Sequence, residues 1–414
     1  MTTDDRIATV DIVRGVAACG ILLMNITGMA MPEAAYENPR AWGGSDGINL
    51  VVWAINFVAI DGKMRGLFSF LFGASLLIVT DRADANGESP ARVHYRRMLW
   101  LFLIGLAHLW LVWWGDILHH YAMVGALAFL LRKLSIRLMS TLAVALILLQ
   151  TAAYLPFVAT ISRAETMLAT HPQDPEAIKT LDGLRDLMGV PNARDLARDI
   201  ATHRAGYQVI LADRWKETRN TPRDIFLGVG METLAYMLLG MVGLRTGLLT
   251  GAWSARRYAV IAASCFAVSV PGYVALAWID VASGFDMAAV ALGSLAASAP
   301  LRPIMIIGWA CLIALLARPG GWLASRFAAA GRMAFTNYLA SSLICTTIFY
   351  GYGLGWYGAL NRAELLPVVA GVWGLMLAWS EPWLRRFQYG PAEWIWRSLA
   401  RGQLQPLQRA AVQP

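Results

Sequence analysis

Ten apolar runs, each about as long as a bilayer crossing, constrain the fold of this chain more than any other feature of its sequence. A helix spans the hydrocarbon core of a bilayer with about 20 apolar residues. With that criterion, we predict membrane helices near 14–31, 64–80, 98–115, 120–133, 138–160, 225–246, 258–279, 301–317, 333–354 and 364–381. The sequence therefore predicts an all-α polytopic membrane protein with about ten transmembrane helices.

The composition agrees with this class of protein. Of the 414 residues, 57% are hydrophobic and 15% are charged, which is typical of a membrane protein rather than a soluble enzyme. A net charge of +8 would suggest nucleic acid as a partner of a soluble protein. Here we attribute it to basic residues retained on the cytoplasmic side, so we expect the lipid bilayer and no nucleic acid as partner. The four cysteines lie inside apolar runs without a CxxC pair, so no metal is predicted.

Basic residues cluster at alternate connections between the predicted helices. These clusters include Arg6, Arg97, Arg132, Arg245, Arg318 and Arg385. The opposite short connections contain little beyond Arg40, Arg302 and Arg362. Ten crossings with both termini in the cytoplasm place every cluster on one side, in agreement with the positive-inside rule.

Three segments depart from the simple pattern of crossings. Residues 48–60 are apolar but too short to span, so they predict an interfacial or re-entrant helix, and whether they cross stays open. Residues 161–222 are polar and periodic, which predicts two or three short helices in a small extracytoplasmic segment. Residues 282–300 are small and weakly apolar, and they are compatible with a partial insertion.

These segments divide the chain into four predicted parts. They are an N-terminal membrane bundle that carries the candidate site (1–160), an extracytoplasmic helical segment (161–222), a C-terminal membrane bundle (223–384) and a cytoplasmic amphipathic tail (385–414).

The first apolar run, DIVRGVAACGILLMN, carries an acid, an arginine and an amide. At about 100° per residue, Asp11, Arg14, Ala18 and Asn25 fall within roughly 60° of one another on a helix. Ionised groups facing hydrocarbon are costly, so this stripe is expected to face protein or a water-filled cavity. The alternative is that Asp11 and Arg14 lie at the headgroup level and that Asn25 caps a neighbouring backbone.

Histidines are concentrated around the third and fourth predicted crossings. His108 lies near the middle of a helix, whereas Asp116, His119 and His120 lie where the chain turns. Asp116 is near enough to orient one imidazole, and a histidine with a carboxylate partner can act as a general base. Alternatively, the histidine binds a backbone carbonyl and Asp116 caps the following helix.

A third polar group lies in the ninth predicted crossing, in the sequence GRMAFTNYLASS. Asn337 and Tyr338 are candidates for lining a substrate cavity, although such residues commonly bind neighbouring helices. The tail FQYGPAEWIWRSLA forms an amphipathic helix whose tryptophans suit the membrane interface.

Several of these segments together resemble the YeiB-like integral membrane family, known as domain of unknown function 418. The matching pieces run from residue 11 to 397, and they are DIVRG with GILLMNI, KMRGLFSFLFGAS, RRMLWLFLIGLAH, GDILHHYA, GRMAFTNYLASS and FQYGPAEWIWR. The resemblance implies a multi-pass protein of the bacterial cytoplasmic (inner) membrane.

The opening helix is also distantly similar to that of transmembrane acyltransferases, including the OafA type and heparan-α-glucosaminide N-acetyltransferase. The similarity lies in Arg14-Gly15 followed by Met24-Asn25. In that group, a cytoplasmic acyl-CoA donates to a sugar across the membrane, with an asparagine and a histidine taking part. Asn25 matches the asparagine. Residues 26–45 contain no histidine, so the resemblance requires a histidine from later in the chain to take part in the transfer.

These observations predict an acyltransferase that moves an acyl group, in our reading acetyl, from acyl-CoA to an envelope glycan, lipid or small molecule. Arg14, Arg96 and Arg97 are expected to bind the donor phosphates. The expected catalytic residues are Asn25, His108, Asp116 and His119. Among them, Asp116 is expected to orient a histidine. Asp11, Asn337 and Tyr338 are expected to line the substrate cavity.

Two other classes of function remain open from the sequence. One is a proton-coupled transporter of small molecules or lipids that uses the same polar stripe. The other is a non-catalytic receptor that binds a small-molecule or lipid ligand through residues 161–222. Glycines in 236–251 permit close helix contacts within the chain or in a homodimer.

Overall fold

The computed structural model describes residues 8–185, 187–317 and 321–409 of the chain. Arg6 and Arg318 of the predicted basic clusters lie outside the described residues, as do the ends of the first and last predicted parts. The first half contains α1 (Ala8–Ala30), α2 (Ala34–Glu37), α3 (Gly47–Ile55), α4 (Lys63–Ala85), α5 (Pro90–Leu111), α6 (Leu118–Leu131), α7 (Ile136–Thr170), α8 (Pro175–Asp182), α9 (Ala193–His203) and α10 (Tyr207–Thr218).

The second half is also helical. It contains α11 (Thr221–Arg245), α12 (Ala255–Ala282), α13 (Met287–Ala291), α14 (Ser298–Leu316), α15 (Trp322–Arg332), α16 (Ala334–Phe349), α17 (Leu365–Arg386) and α18 (Pro391–Arg401). Two π-helical turns, Asn56–Ile60 and Leu292–Ala296, follow α3 and α13.

Seven helical stretches of the described chain are long and apolar enough to cross a membrane. They are Ala8–Ala30, Gly47–Ala85, Ile136–Thr170, Thr221–Arg245, Ala255–Ala282, Ser298–Leu316 and Leu365–Arg386. Shorter apolar helices occupy Leu118–Leu131, Met287–Ala296 and Ala334–Phe349. The predicted fold class, an all-α polytopic membrane protein, is confirmed. A helix lies at each of the ten predicted positions, but the number of crossings and the side of the termini stay predictions.

The polar segment 161–222 forms helices, as its periodicity predicts. The helix α7 continues to Thr170, so the boundary placed at residue 160 falls inside a helix. The helices α8, α9 and α10 follow, and the first two are apolar on one side. The backbone N–H of Gly351 donates to His203 O at 2.8 Å, which attaches this segment to the connection between α16 and α17.

The opening helix α1 is buried on nearly all sides. It packs against α4 from its own half and against α15, α16 and α17 from the other half, so the two predicted membrane bundles share it. At the crossing with α15, a Cβ atom on Gly15 would lie 2.1 Å from Phe327 O, and one on Gly331 would lie 1.9 Å from Asp11 O. Only glycine permits backbones to approach this closely.

The helices α5 and α6 form a hairpin beside α1. Trp113, at the turn of the hairpin, donates its indole N–H to Gly28 O at 3.2 Å. At the other end of the bundle, α18 packs against α5 and α16. We call the end that carries α18 and the start of α1 the inner end, and the end that carries α2 and α8–α10 the outer end.

Candidate functional site

A cavity of about 270 Å³ opens between seven helices at the inner end, and we call it the inner cavity. Five arginines and two carboxylates are among the described residues that line it. These charged residues are Asp11, Arg14, Arg82, Arg97, Arg332, Glu393 and Arg397. With all of them ionised, the wall of the cavity carries three net positive charges, which favours an anionic ligand.

The polar stripe of α1 supplies one wall of the inner cavity. Asp11, Arg14, Ala18 and Ile21 all line it. Arg14 donates to Asp11 Oδ1 at 3.1 Å and to Ser75 Oγ of α4 at 2.9 Å. These bonds hold the guanidinium at the cavity and restrict its rotamers before any ligand binds.

Arg97 and its neighbour Arg96 are placed differently. Arg97 lines the cavity, with its guanidinium 4.1 Å from the ring centroid of Trp396. Trp396 in turn donates its indole N–H to Arg97 O at 2.9 Å. Arg96 is exposed and does not line the cavity. Of the three arginines predicted for phosphate binding, Arg14 and Arg97 line the inner cavity and Arg96 does not.

The C-terminal helix α18 closes the inner side of the cavity. Glu393 accepts hydrogen bonds from the backbone N–H groups of Phe335 at 2.8 Å and Thr336 at 3.2 Å, and also from the Thr336 hydroxyl. The Thr336 oxygen also accepts from Ala392 N at 2.9 Å. The pKa of Glu393 is raised because burial disfavours the carboxylate. The tail therefore binds the first turn of α16 and contributes to the wall of the cavity, a role that its amphipathic sequence does not indicate.

Asp116 connects two histidines at the turn between α5 and α6. Its Oδ2 lies 2.8 Å from His108 Nδ1, and its Oδ1 lies 2.9 Å from His119 Nδ1. Oδ1 also accepts from the backbone N–H groups of Leu118 at 2.9 Å and His119 at 3.2 Å. The carboxylate thus caps α6 and orients both imidazoles, so the two interpretations offered from the sequence describe the same residue.

The histidine cluster lies directly behind the inner cavity. The ring of Tyr338, which lines the cavity, has its centroid 5.3 Å from that of His108. Nε2 of His108 and Nε2 of His119 are buried without a hydrogen-bond partner. With Nδ1–H donated to Asp116, each Nε2 presents a lone pair that can accept a proton. Neither histidine reaches the cavity surface itself.

Asn337 and Asn25, which were also predicted for the site, do not line the inner cavity either. Asn337 is buried, and its amide donates to Ala330 O and Ser380 Oγ, both at 3.1 Å, so it serves helix packing. Asn25 is buried on α1 beyond Ile21, the deepest residue of α1 in the inner cavity. Its neighbours Met24 and Thr27 instead line a second cavity at the outer end. Asn25 therefore lies between the two cavities and lines neither.

The second cavity, which we call the outer chamber, has a volume of about 30 Å³. Three carboxylates line it, from Glu37, Asp61 and Asp280, together with Arg362. No site was predicted at this position from the sequence. A weak indication was present, because Asp280 is an acid at the end of an otherwise apolar run.

A buried ionic network lies between α4, α11 and α14. Glu232 is 2% exposed and pairs with the Arg302 guanidinium, while Arg65 Nη2 lies 3.6 Å from Glu232 Oε2. Tyr236 donates its hydroxyl to the same carboxylate. From the sequence, Arg302 was expected in an outer connection, and no role was predicted for Glu232. An acid inside the apolar run 225–246 was the available indication.

The chain was compared with known proteins. The family described as "Protein of unknown function (DUF418)" matches residues 244–403. The chain is 32% identical to "Uncharacterized protein YeiB" of Escherichia coli (strain K12), over 95% of this chain and 96% of that protein. It is 29% identical to "Uncharacterized protein YxaH" of Bacillus subtilis (strain 168), over 98% of this chain and 96% of that protein. No solved structure matches the chain.

Proposed function

The chain belongs to the YeiB-like DUF418 family, and from this membership and the geometry of the site we propose that it is a membrane-bound acyltransferase. An acyl-CoA, in our proposal acetyl-CoA, binds in the inner cavity, and the acyl group passes to a glycan, lipid or small molecule of the cell envelope. The observation that carries the proposal is an arginine-lined cavity that ends at Tyr338, against the cluster of His108, Asp116 and His119. The bacterial relatives support a location in the bacterial inner membrane.

The charge of the inner cavity suits the phosphates of coenzyme A. Arginine binds phosphate oxygens with a planar fork of donors, and several arginines are needed for a ligand that carries several phosphates. Arg14 and Arg97 are held in place by neighbouring groups, and Arg82, Arg332 and Arg397 line the same space. The apolar part of the wall, including Phe68 and Leu71, suits the pantetheine arm and the acyl group.

His108 is the proposed general base. Its Nε2 takes the proton from the acceptor while the acceptor atom forms a bond to the thioester carbonyl carbon. The C–S bond then breaks, and the proton passes to the departing thiolate, which leaves as coenzyme A. Asp116 keeps the Nδ1–H tautomer and stabilises the imidazolium in between, as a carboxylate does in a hydrolase triad. Asn25, between the two cavities, is the proposed donor to the thioester oxygen.

Binding of the donor is tested by calorimetry with acetyl-CoA on the purified protein in nanodiscs. The variant Arg97→Gln should weaken binding by roughly tenfold, because it removes one charge-assisted phosphate contact. Arg96→Gln is the matched control, since Arg96 precedes it on the same helix but is exposed. No binding at millimolar acetyl-CoA, or equal losses in the two variants, would contradict the proposed donor site.

Transfer is tested by following the release of free coenzyme A thiol from acetyl-CoA, with water or an added acceptor as the receiving group. The protein should release thiol, and Asn25→Ala should lower the rate at least about tenfold. Binding of acetyl-CoA without any thiol release across a panel of hydroxyl and amine acceptors would refute the transferase.

A proton-coupled transporter is the second candidate, and the buried network of Arg65, Glu232 and Arg302 favours it. Ionisable residues inside membrane bundles commonly serve proton relays. Here Arg302 donates to Ser294 O of the outer chamber, and Arg65 O accepts from the hydroxyl of Tyr121, which lines the inner cavity. The test is uptake into proteoliposomes under an imposed pH gradient. Solute movement that follows the gradient, is lost in Glu232→Gln and occurs without thiol release would favour transport over acyl transfer.

A further inference from the structure

The outer chamber collects negative charge from three separate elements. Glu37 is at the end of α2, Asp61 follows the first π-helical turn, and Asp280 is near the end of α12. Within the described residues, none of the three carboxylates has a basic side chain within 4.0 Å. Arg362 also lines the chamber, but its guanidinium is used by the backbone carbonyls of Ala35 and Trp42.

Asp280 shows most directly that a partner is missing. Its side chain is only 2% exposed, and its Oδ1 has no hydrogen-bond partner. Oδ1 of Asn56, which lines the same chamber, is also buried without a partner. A buried carboxylate that lacks both a cation and a donor costs several kcal/mol, so such groups normally face a ligand.

Aromatic rings form the remaining walls of the chamber. Tyr36, Trp53, Phe57 and Phe285 line it, with Trp53 stacked on Phe57 at 5.2 Å and edge-on to Phe285 at 4.9 Å. Carboxylates combined with aromatic faces favour an organic ammonium group, which gains both ionic and cation–π attraction. A metal ion is less suited, because no group of three metal-binding side chains occurs in the part of the chain that the structure describes.

The backbone at the chamber is irregular on two sides. Asn56 and Phe57 belong to one π-helical turn and Ser294 to the other. Such turns recur at functional sites, where they redirect side chains and free carbonyl groups. Here Arg302 donates to Ser294 O at 2.8 Å and Trp309 to Ala59 O at 2.9 Å, so the surrounding structure stabilises both turns.

We propose that the outer chamber binds the ammonium group of a small organic amine, held by Asp280, Asp61 and Glu37 between the aromatic walls. Amine binding does not depend on the proposed acyl transfer.

The probe for the chamber is ethanolamine, and ethylene glycol is its neutral isostere. Thermal unfolding of the purified protein is measured over a concentration series of each, with sodium chloride added to equal ionic strength and without acyl-CoA. A ligand that binds the native state raises the unfolding midpoint. We expect ethanolamine to raise it and ethylene glycol to leave it at the salt-only value.

Asp280→Asn is the test variant, with Asp182→Asn as control because Asp182 is an exposed acid of α8. In Asp280→Asn, the ethanolamine concentration that gives half of the maximal rise in unfolding midpoint should increase by roughly tenfold. In the control variant, this concentration should equal that of the wild type. The unliganded Asp280→Asn protein should melt at the same temperature as the wild type or higher, because an unpaired buried charge is removed.

The proposal is overturned if ethanolamine raises the unfolding midpoint no more than sodium chloride does. It is also overturned if Asp280→Asn shows the same rise at the same ethanolamine concentrations as the wild type. If Asp280→Asn does not fold, Glu37→Gln provides the same comparison from a different element. An ethanolamine shift in a protein that never releases thiol from acetyl-CoA would uphold the amine site and refute the transferase. Acetyl-CoA turnover without any ethanolamine shift would refute the amine site alone.

Discussion

Asp116 is the residue on which the proposed chemistry depends most directly. Both of its oxygens are used, one on each imidazole, and the same carboxylate caps α6. Asparagine in its place keeps an acceptor for the cap but loses the charge that stabilises an imidazolium. A substitution of Asp116 by asparagine therefore tests the role of the charge in catalysis while the cap of α6 is kept.

We predict that Asp116→Asn lowers kcat for acetyl-CoA turnover about a hundredfold or more and changes KM by less than about threefold. In the proposed mechanism, the donor phosphates bind at arginines in the inner cavity, which this substitution does not touch. Steady-state kinetics of thiol release provide the measurement. His120→Gln is the control, because His120 bonds Thr233 Oγ1 at 2.9 Å and not Asp116. An equal loss of kcat in His120→Gln would show that any substitution at this turn is damaging.

Gly105 permits the α5–α6 hairpin to bring the histidines together. A Cβ atom there would lie 2.3 Å from His119 N and 3.0 Å from Asp116 Oδ1. We predict that Gly105→Ala destabilises the protein by about 1–3 kcal/mol, through overpacking, and also lowers turnover. Gly371→Ala in α17 is the control, since a Cβ atom there meets nothing within 4 Å and alanine favours the helix. Unfolding midpoints decide the question, and equal midpoints for the two variants would contradict the prediction.

Glu37 gives the outer chamber a pH dependence. Burial raises the pKa of Glu37 from 4.5 to about 7, with a further contribution from Asp61. Charged groups that act on it are Asp61 and Glu33, which raise the pKa, and Arg65 and Arg302, which lower it. Asp280 and Arg362 face the same chamber. The native state therefore binds a proton that the unfolded chain has already lost between pH 4.5 and about 7.

We predict that, without an amine, this contribution to stability is fully present below pH 4.5 and is lost as the pH rises through about 7. Glu37→Gln should remove that component of the pH profile. Stabilisation by ethanolamine should instead grow over the same range, because the carboxylate that binds it becomes ionised. Melting curves at a series of pH values test both trends, and a Glu37→Gln profile identical to the wild type would refute them.

At the residue scale, sequence reasoning located those partners that are close along the chain. His108, Asp116 and His119 lie within one hairpin, so the turn between α5 and α6 brings them near one another. Asn25 shares a helix face with Arg14, but whether a face lines a cavity depends on packing from other helices. The chamber residues Glu37 and Asp280 are far apart in sequence. Each alone has the sequence context of an ordinary acid in a loop or at the end of a helix.

At the scale of single elements, α18 is where sequence pattern and structure diverge most. An amphipathic helix that carries tryptophans and arginines fits a bilayer surface or a protein surface equally well. Its sequence therefore does not distinguish the two. The deciding contacts come from Thr336 and Arg97, residues of distant helices. The membrane helices themselves were predictable because length and hydropathy are properties of each segment alone.

We predict that Glu393→Ala releases α18 from α16. Two backbone N–H groups and the Thr336 hydroxyl lose their acceptor, and amide hydrogen exchange in Pro391–Arg401 should accelerate about tenfold or more. Exchange followed by mass spectrometry provides the measurement. Glu217→Ala, at an exposed acid of α10, should leave that exchange unchanged. Unaltered exchange in Glu393→Ala would mean that Trp396 and its neighbours hold the helix without the carboxylate.

At the scale of the whole molecule, cavities with charged walls lie at the two ends of one helix. Val10, Asp11 and Arg14 of α1 line the inner cavity, while Met24 and Thr27 line the outer chamber. The sequence indicated a polar stripe but not its division between two compartments. That division depends on α15 and α18 at one end and on both π-helical turns at the other.

We predict that the inner end faces the cytoplasm and the outer end faces away from it. The test uses three variants, each with one exposed residue replaced by cysteine. The replaced residues are Lys179 of α8, Arg92 of α5 and Gln403 after α18. A membrane-impermeant maleimide on intact cells should label position 179, whereas positions 92 and 403 should react only after permeabilisation. The native cysteines are buried or half-buried, which keeps the background low. Labelling of all three positions from outside would refute the orientation.

The tight crossing of Gly15 with Gly331 has a consequence for how the protein is made. The helix α1 emerges from the ribosome long before α15, the helix against which its backbone rests. At 5–20 residues per second, that interval is on the order of tens of seconds. During this interval, Asp11 and Arg14 of α1 lie in the membrane before α15 is present to pack against them. Biogenesis of this protein should therefore be unusually sensitive to loss of insertases that shield polar segments in the bilayer.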